Sequence, residues 1–224
     1  MKNIQIFLLQ IGIQIFFIDP CFSALKADNS SQTSEGLLEF EIPKSIEFLY
    51  FSVHWLPTEE AIDIDVDLNI HVVKKNKKIT HNVYYLNRHY HRYIMLKDDD
   101  LTGENFGETS GINIEKLLHK RPNISNLIFS ITVYSGHKIS SIQGLYFKAY
   151  TIDESNGQES ELFRFKLDNS YEKRGVVVAN LRKQDDTWLL SKVSRPFDGP
   201  RETIHLDAID SFPIIEKWIK LGVL

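Results

Sequence analysis

Cysteine is almost absent from this sequence of 224 residues, which contains a single one, Cys21. One cysteine cannot form a disulfide within the chain, so a disulfide framework is excluded. Cys21 also lies in an N-terminal segment that we expect to be removed. The mature domain would then offer no thiolate for a metal site, a redox step or nucleophilic catalysis. Its stability would depend on a hydrophobic core and on any bound ion.

An excess of positive charge is also missing. The chain has 26 lysine and arginine residues against 30 aspartate and glutamate residues, which gives a net charge of −4 at pH 7. Surfaces that bind nucleic acids are strongly basic, so we expect no nucleic-acid partner. The basic run Lys74–Lys78 lies between two strand-like segments and is typical of a solvated hairpin turn.

Common catalytic motifs are absent as well. The sequence has no Gly-x-Ser-x-Gly nucleophile motif, no His-Glu-x-x-His zinc motif and no glycine-rich phosphate loop, so we expect a protein that is not an enzyme. A hydrolase that uses two of the acidic side chains described below is an alternative. His89 and His91 could share one strand face, but no third metal ligand accompanies them.

The N-terminus has the pattern of a targeting segment. Lys2 provides a positive charge, Ile4–Ile18 is largely apolar, and Pro20 is followed by small residues. The apolar stretch is shorter than the ~20 residues needed to span a bilayer. We therefore predict a signal peptide over residues 1–23 and export to the periplasm or beyond. A retained anchor is the alternative, and this segment alone would then contact the membrane.

The rest of the chain divides into a short linker and one domain. Residues 24–36 are mostly small and polar, which predicts a flexible linker. Residues 37–224 contain many short apolar or alternating segments separated by turn residues. This pattern is typical of an all-β protein, and we predict a two-sheet β-sandwich with short helices, one of them near the C-terminus.

The predicted elements can be placed along the sequence. The strand-like segments are Leu37–Ile42, Ile46–Trp55, Ile62–Val73, Ile79–Leu86, Asn126–Tyr134, Gly144–Ile152, Glu161–Leu167, Gly175–Arg182 and Trp188–Val193. Helices are predicted at Ile112–His119 and at Phe212–Leu221, the second with Ser211 as its cap and Pro213 in its first turn. The tryptophans and most other aromatic residues are expected in the core.

The most regular segment is Ile62–Val72, in which apolar and polar residues alternate without a break. This period predicts a strand with one buried face. Asp63, Asp65 and Asp67 would share the opposite face, with successive carboxylates roughly 6–7 Å apart. Three like charges in a row repel one another, and a bound cation would reverse that repulsion. A solvated face, or charges that protect a sheet edge, is the alternative.

A second acidic segment runs from Asp98 to Glu104 and is followed by Glu108. Two clusters of carboxylates in one small domain indicate a hard cation such as Ca²⁺, which takes six to eight oxygen ligands. The start of this segment resembles an EF-hand loop, but position twelve is Thr109 instead of a bidentate glutamate. We therefore exclude an EF-hand.

Several segments in this order resemble motifs of a known family. The segments are Phe51–Trp55, Asp63–Asp67, Asp99–Glu104, Asn126–Val133 and Leu181–Trp188. Together they are similar to the TerD family, which is named for tellurite resistance. The resemblance implies a β-sandwich that binds calcium through the aspartate strand and the Thr-Gly-Glu loop, with a role in stress response or tolerance of toxic oxyanions. The matching acidic positions are Asp63, Asp65, Asp67, Asp99, Asp100 and Glu104, and Glu108 completes the candidate ligands.

The chain also departs from the family pattern. The acidic continuation of the family loop is replaced by Asn105–Ser110, which keeps only Glu108. The family's later His-Asp pair corresponds to Tyr134 and Ser135, and its Phe-Gly-Gln segment is reduced to Ile142–Gly144. If two ions bind in the family, one site would be lost or weak here. An export signal is a further departure, because most members are cytoplasmic.

The sequence therefore predicts an exported, calcium-binding module without enzymatic activity. The alternative is a β-sandwich that binds a protein or a glycan without any ion. The aromatic residues that would serve a glycan best are Tyr84, Tyr85, Tyr90 and Tyr93, since they alternate with polar residues near the acidic segment.

Overall fold

The structure, a computed structural model, describes residues 39–56, 64–97, 101–103, 107–134, 137–168, 170–198 and 207–224, and of residues 207–213 only the helical backbone. These residues belong to one compact unit that comprises Leu37–Leu224. The predicted signal peptide (1–23) and linker (24–36) lie outside the described residues. No helix in the described part of the chain is both long enough and apolar enough to cross a membrane.

Strands make up most of the described chain. In chain order they are β1 (Glu39–Ile42), β2 (Phe48–His54), β3 (Val66–Lys74), β4 (Ile79–Val83), β5 (His89–Tyr90), β6 (Ile94–Leu96), β7 (Glu108–Asn113), β8 (Ile124–Val133), β9 (Tyr146–Ile152), β10 (Glu159–Lys166), β11 (Gly175–Gln184) and β12 (Thr187–Phe197). The helices are α1 (Ile114–Lys120) and α2 (Asp207–Lys220), and Ile139–Ser141 forms one 3-10 turn.

These strands form two antiparallel sheets that pack face to face. Sheet 1 has the order β1-β12-β11-β8-β3-β4, and sheet 2 has the order β10-β9-β2-β7-β6-β5. Rings from both sheets meet between them: the centroid of Phe51 in β2 lies 4.3 Å from that of Phe129 in β8 and 5.8 Å from that of Phe147 in β9. The predicted two-sheet β-sandwich is confirmed.

Strand β3 shows why the alternating pattern was informative. Val66, Leu68, Ile70 and Val72 are fully buried in the core between the sheets. The strand begins at Val66, four residues later than predicted, and it lies between β8 and β4 in the interior of sheet 1. β4 pairs with β3 only over Ile70–Val73, so the alternative in which the aspartates protect a sheet edge stays an alternative.

The predicted turns are also present. The lysine-rich run joins β3 to β4, and Lys77 N–H donates to the carbonyl of Lys74 at 2.8 Å. Gly157 follows Asn156 in the turn between β9 and β10 with a φ of +73°. A left-handed residue in such a turn favours glycine, because a side chain is strained there.

The prediction failed between His89 and Asn113, where the structure has β5, β6 and β7. Residues 108–110 were interpreted as the end of an acidic loop, but they belong to β7, an interior strand of sheet 2. Ser110 and Gly111 do not give an apolar alternation, so the strand is recognised only through its pairing with β2. Helix α1 was predicted correctly, and the side chain of Asn113 caps it by accepting from Lys116 N–H at 2.8 Å.

Helix α2 begins at Asp207, earlier than the predicted start, so Ser211 is not its cap and Pro213 lies beyond its first turn. Its buried residues Ile215 and Ile219 pack on the outer face of sheet 1. That second apolar cluster contains Val73, Ile128, Val177, Phe197, Ile215 and Ile219. The outer face of sheet 1 is therefore covered near these residues.

Candidate functional site

Neither of the described aspartates at the start of β3 lies on a fully solvated surface. Asp67 is only 3% exposed, and its oxygen Oδ2 is buried. Asp65 is half-buried, with a buried Oδ1, and precedes the first residue of the strand. The alternative of a solvated face is therefore wrong for Asp67, and burial of an ionised carboxylate demands compensation by a cation, hydrogen bonds or both.

The backbone of β3 leaves one edge available to this site. Asp67 pairs with Thr132 of β8, and the carbonyl of Asp65 accepts from Tyr134 N–H at 3.0 Å. On the other side, β4 pairs with β3 only over Ile70–Val73. Because strand N–H groups alternate in direction, the N–H of Leu68 points toward the edge that β4 does not reach.

Glu108 occupies this edge. It is the first residue of β7 in sheet 2, is 1% exposed, and pairs with Val53 of β2. Its oxygen Oε2 accepts a hydrogen bond from Leu68 N–H at 2.9 Å, and its second oxygen, Oε1, is buried as well. Glu108 therefore links the two sheets, and it places a buried carboxylate beside the strand that contains Asp67 and directly follows Asp65.

Two glycines fix the described parts of the acidic loop. Gly107 has a φ of +72°, and a Cβ atom added there would lie 1.9 Å from the carbonyl oxygen of Val53. Gly103 has a φ of +77°, and its Cβ would lie 2.6 Å from Nε1 of the buried Trp55. Only glycine combines a positive φ with so close an approach. Gly103 and Gly107 thus lie directly against Trp55 and the end of β2.

The structure describes three of the seven candidate ligands, Asp65, Asp67 and Glu108. The other candidates lie outside the described residues: Asp63, Asp99, Asp100 and Glu104. Within the described ranges, no group of three or more histidine, cysteine, aspartate or glutamate side chains is arranged to hold a metal ion. The ligand roles therefore stay predictions, and a complete site needs oxygens from the segments around positions 63, 99 and 104.

A polar cluster on the same strand was not predicted. His71 is fully buried, with Nδ1 at 2.8 Å from Asn82 Oδ1 and Nε2 at 2.8 Å from Ser130 Oγ. Because an amide oxygen only accepts, Nδ1 carries the proton and Nε2 accepts from the serine hydroxyl. Burial lowers the pKa of His71 to about 4, against a smaller opposing effect of the hydrogen bond to Asn82. Position 71 continues the row of Asp67, so the strand period could have indicated this cluster.

The structure also bears on the histidine pair and on the tyrosines that were considered for glycan binding. His91 has a φ of +52° in the turn after β5, so it does not share a strand face with His89. Tyr90 is 8% exposed, and the rings of Tyr84 and Tyr85 meet edge to face at an interplanar angle of 83°. Tyr90 therefore offers little surface for stacking on a sugar, and glycan binding by the remaining tyrosines stays an alternative.

The prediction that the tryptophans lie in the core is confirmed for Trp55 and Trp188. Trp55 and Trp188 are 4% and 2% exposed, and the indole N–H of Trp188 donates to the carbonyl of Ile114 at 3.2 Å. Trp218 is half-buried and packs against the second apolar cluster, with its ring 6.3 Å from that of Phe197.

The chain is 28% identical over 120 residues to the tellurium resistance protein TerZ of Serratia marcescens, a match that covers 53% of this chain and 58% of TerZ. The chain thus spans less than two thirds of the length of that relative.

Solved structures share the fold. A crystal structure of a homologue of the telluride resistance protein TerD from Streptomyces coelicolor A3(2) superimposes with a TM-score of 0.56, covering 70% of this chain and 94% of the other at 14% identity. A protein of unknown function superimposes with a TM-score of 0.57, covering 73% of this chain and 96% of the other at 13% identity. Residues 39–204 match the model of the TerD domain. The chain therefore belongs to the TerD family.

Proposed function

We propose that this TerD domain binds calcium where Glu108 meets β3, and that it acts as a non-enzymatic module in tellurium resistance or a related stress response. The observation that carries the proposal is the buried carboxylate of Glu108, bonded to Leu68 N–H at 2.9 Å beside the buried Asp67. It supports the predicted approach of the acidic loop to the aspartate strand.

The chemistry of the donors favours a hard divalent cation. Asp65 and Asp67 lie at the start of β3, Glu108 accepts from Leu68 N–H there, and each of the three carboxylates has a buried oxygen. Ca²⁺ takes six to eight oxygens in a tolerant geometry. Asp63, Asp99, Asp100 and Glu104 would supply the remaining oxygens, because their segments adjoin the described residues of the same loop and strand.

The cellular role is proposed from the relatives. TerZ is named as a tellurium resistance protein, and we extend that role to this chain. Direct reduction of tellurite by thiols is not part of the proposal, because Cys21 is the only cysteine. The signal-like N-terminus adds the proposal that the domain acts outside the cytoplasm.

Thermal unfolding with and without calcium tests the binding proposal. An extracellular-type site with a dissociation constant of ~0.1–1 mM would be largely filled by about 10 mM calcium, which stabilises the fold by roughly 1.4–2.7 kcal/mol through linkage. We expect the melting temperature to rise by about 3–10 °C, and calorimetry should detect binding heat. The double variant Asp65→Asn, Asp67→Asn should lose both effects.

A matched control removes the same charge elsewhere. Asp153 and Asp168 lie in exposed turns and accept from the N–H groups of Ser155 and Ser170. Asparagine can keep both hydrogen bonds, so Asp153→Asn, Asp168→Asn should respond to calcium like the wild type. A wild-type protein with neither a melting shift nor binding heat would contradict the proposal. If both double variants lost the calcium response equally, the response would reflect the net charge of the protein instead of a specific site.

A further inference from the structure

A second, oppositely charged site lies near the edge formed by β4 and β5. A cavity of about 410 Å³ opens there between these strands, the end of α1 and the last residue of β3. Its polar lining includes Lys74, His81, His91, Lys120 and Arg121. None of the described residues that line it is acidic, although the whole chain carries a net charge of −4.

Backbone contacts bring two basic segments of the sequence together at this cavity. Lys74 pairs with Ile124 at the end of β3, and Lys75 N–H donates to the carbonyl of Asn123 at 2.9 Å. These bonds hold the lysine-rich turn beside the Lys120–Asn123 segment that follows α1. The interpretation of Lys74–Lys78 as a purely solvated turn is therefore incomplete, because its first residue lines a cavity.

Arg121 is the most constrained cation of the site. Its Cζ lies 5.9 Å from the ring centroid of Tyr90 and 5.5 Å from that of Tyr93. Its Nε is buried and donates no hydrogen bond to any described residue. Aromatic packing on the guanidinium reduces the side-chain freedom that binding would otherwise cost, and the planar fork suits two oxygens of one anion.

Some of the basic residues on the surface are neutralised by acidic partners, whereas the cations of this cavity have none among the described residues. Lys116, Lys138 and Lys173 form ion pairs with Glu47, Glu172 and Asp198. In the part of the chain that the structure describes, Lys74, Lys120 and Arg121 form no ion pair with an acidic side chain. Three permanent positive charges around one concave space attract a multivalent anion.

We propose that this cavity binds a phosphate-bearing ligand with two or more negative charges. Tetrahedral phosphate oxygens match the donors of Arg121 and the two lysines, and Thr80 adds a hydroxyl to the lining. The volume lies in the lower part of the range of small-molecule sites, which is about 300–1,000 Å³. This site is independent of calcium and shares no candidate ligand with the acidic end.

Calorimetric titration of the full chain with inorganic pyrophosphate, in calcium-free buffer of low ionic strength, tests the proposal. We expect saturable binding that weakens as salt is added. Lys120→Gln and Arg121→Gln should each weaken it about tenfold, because each loses a charge-assisted contact. Lys120 is exposed, so its variant should fold even if loss of the Arg121 contact with the tyrosines destabilises the protein.

Lys166→Gln is the matched control, because Lys166 is an exposed residue of β10 at the far edge of sheet 2. It should bind pyrophosphate within about twofold of the wild type. A second arm measures sedimentation with phosphatidylcholine vesicles, with and without phosphatidic acid. Pyrophosphate binding alone would identify a soluble phosphate, and vesicle binding lost in Lys120→Gln would identify a lipid headgroup. Failure in both arms, or equal weakening in Lys166→Gln, would overturn the proposal.

Discussion

At the scale of single residues, Glu108 combines a structural contact with the proposed ion site. Its Oε2 accepts from Leu68 N–H at 2.9 Å across the two sheets, while the charge it brings into the interior is costly. Glu108→Gln removes the charge but keeps an oxygen that accepts. We expect the variant to fold as well as the wild type without calcium and to lose most of the calcium-dependent rise in melting temperature.

Comparison of Glu108→Ala with Glu108→Gln separates the structural hydrogen bond of Glu108 from its proposed role as a calcium ligand. Glu108→Ala removes the acceptor as well, so the buried N–H of Leu68 is left without this bond, and we expect a loss of about 1–3 kcal/mol in unfolding free energy even without calcium. Urea titrations of the two variants give the free energy of unfolding without calcium and its increase when calcium is added. A full calcium response in Glu108→Gln would show that the carboxylate does not take part in binding.

At the scale of elements, the acidic loop requires a glycine with a positive φ at position 107. Gly107 has a φ of +72° and no room for a Cβ atom, whereas Gly157 has a φ of +73° and nothing within 4 Å of its Cβ position. Gly157→Ala should cost about 1–2 kcal/mol through backbone strain alone. Gly107→Ala should cost clearly more in urea unfolding, since it also displaces the backbone of Val53, and it should weaken the calcium response. Equal costs would mean that the loop yields freely at Gly107.

The sequence could predict those features of the fold that depend on local signals. Strict alternation in β3 identified its core face, and turn residues such as Asn156 and Gly157 marked hairpins, because both signals are local. The strand β7 was missed because its identity depends on pairing with β2, which is distant in sequence. The acidic composition of the site was visible, but the bond from Leu68 N–H to Glu108 spans forty positions and has no local signature.

At the scale of the whole molecule, sheet 1 is buried on both faces near its centre. Its inner face contributes to the core between the sheets, and its outer face packs against α2 through Ile215 and Ile219. Polar residues of β3 that point away from the inner core are therefore enclosed in places. Asp67 and His71 are both in this position and are 3% and 0% exposed. Because His71 is fully buried, we expect its protonation to be coupled to unfolding.

His71 makes that coupling measurable. Burial lowers its pKa from 6.5 to about 4, so between these values the unfolded chain binds more protons than the folded one. The free energy of unfolding should therefore fall as the pH drops from about 6.5 to 4, with a contribution from His71 of at most about 3 kcal/mol, and should show no further loss from this group below pH 4. His71→Gln removes the titrating ring but leaves every carboxylate in place. Urea titrations at several pH values should show that the free energy of unfolding depends less steeply on pH in the variant. If this dependence is the same in the two proteins, the imidazole is protonated in the folded state as easily as in the unfolded state, and the prediction is wrong.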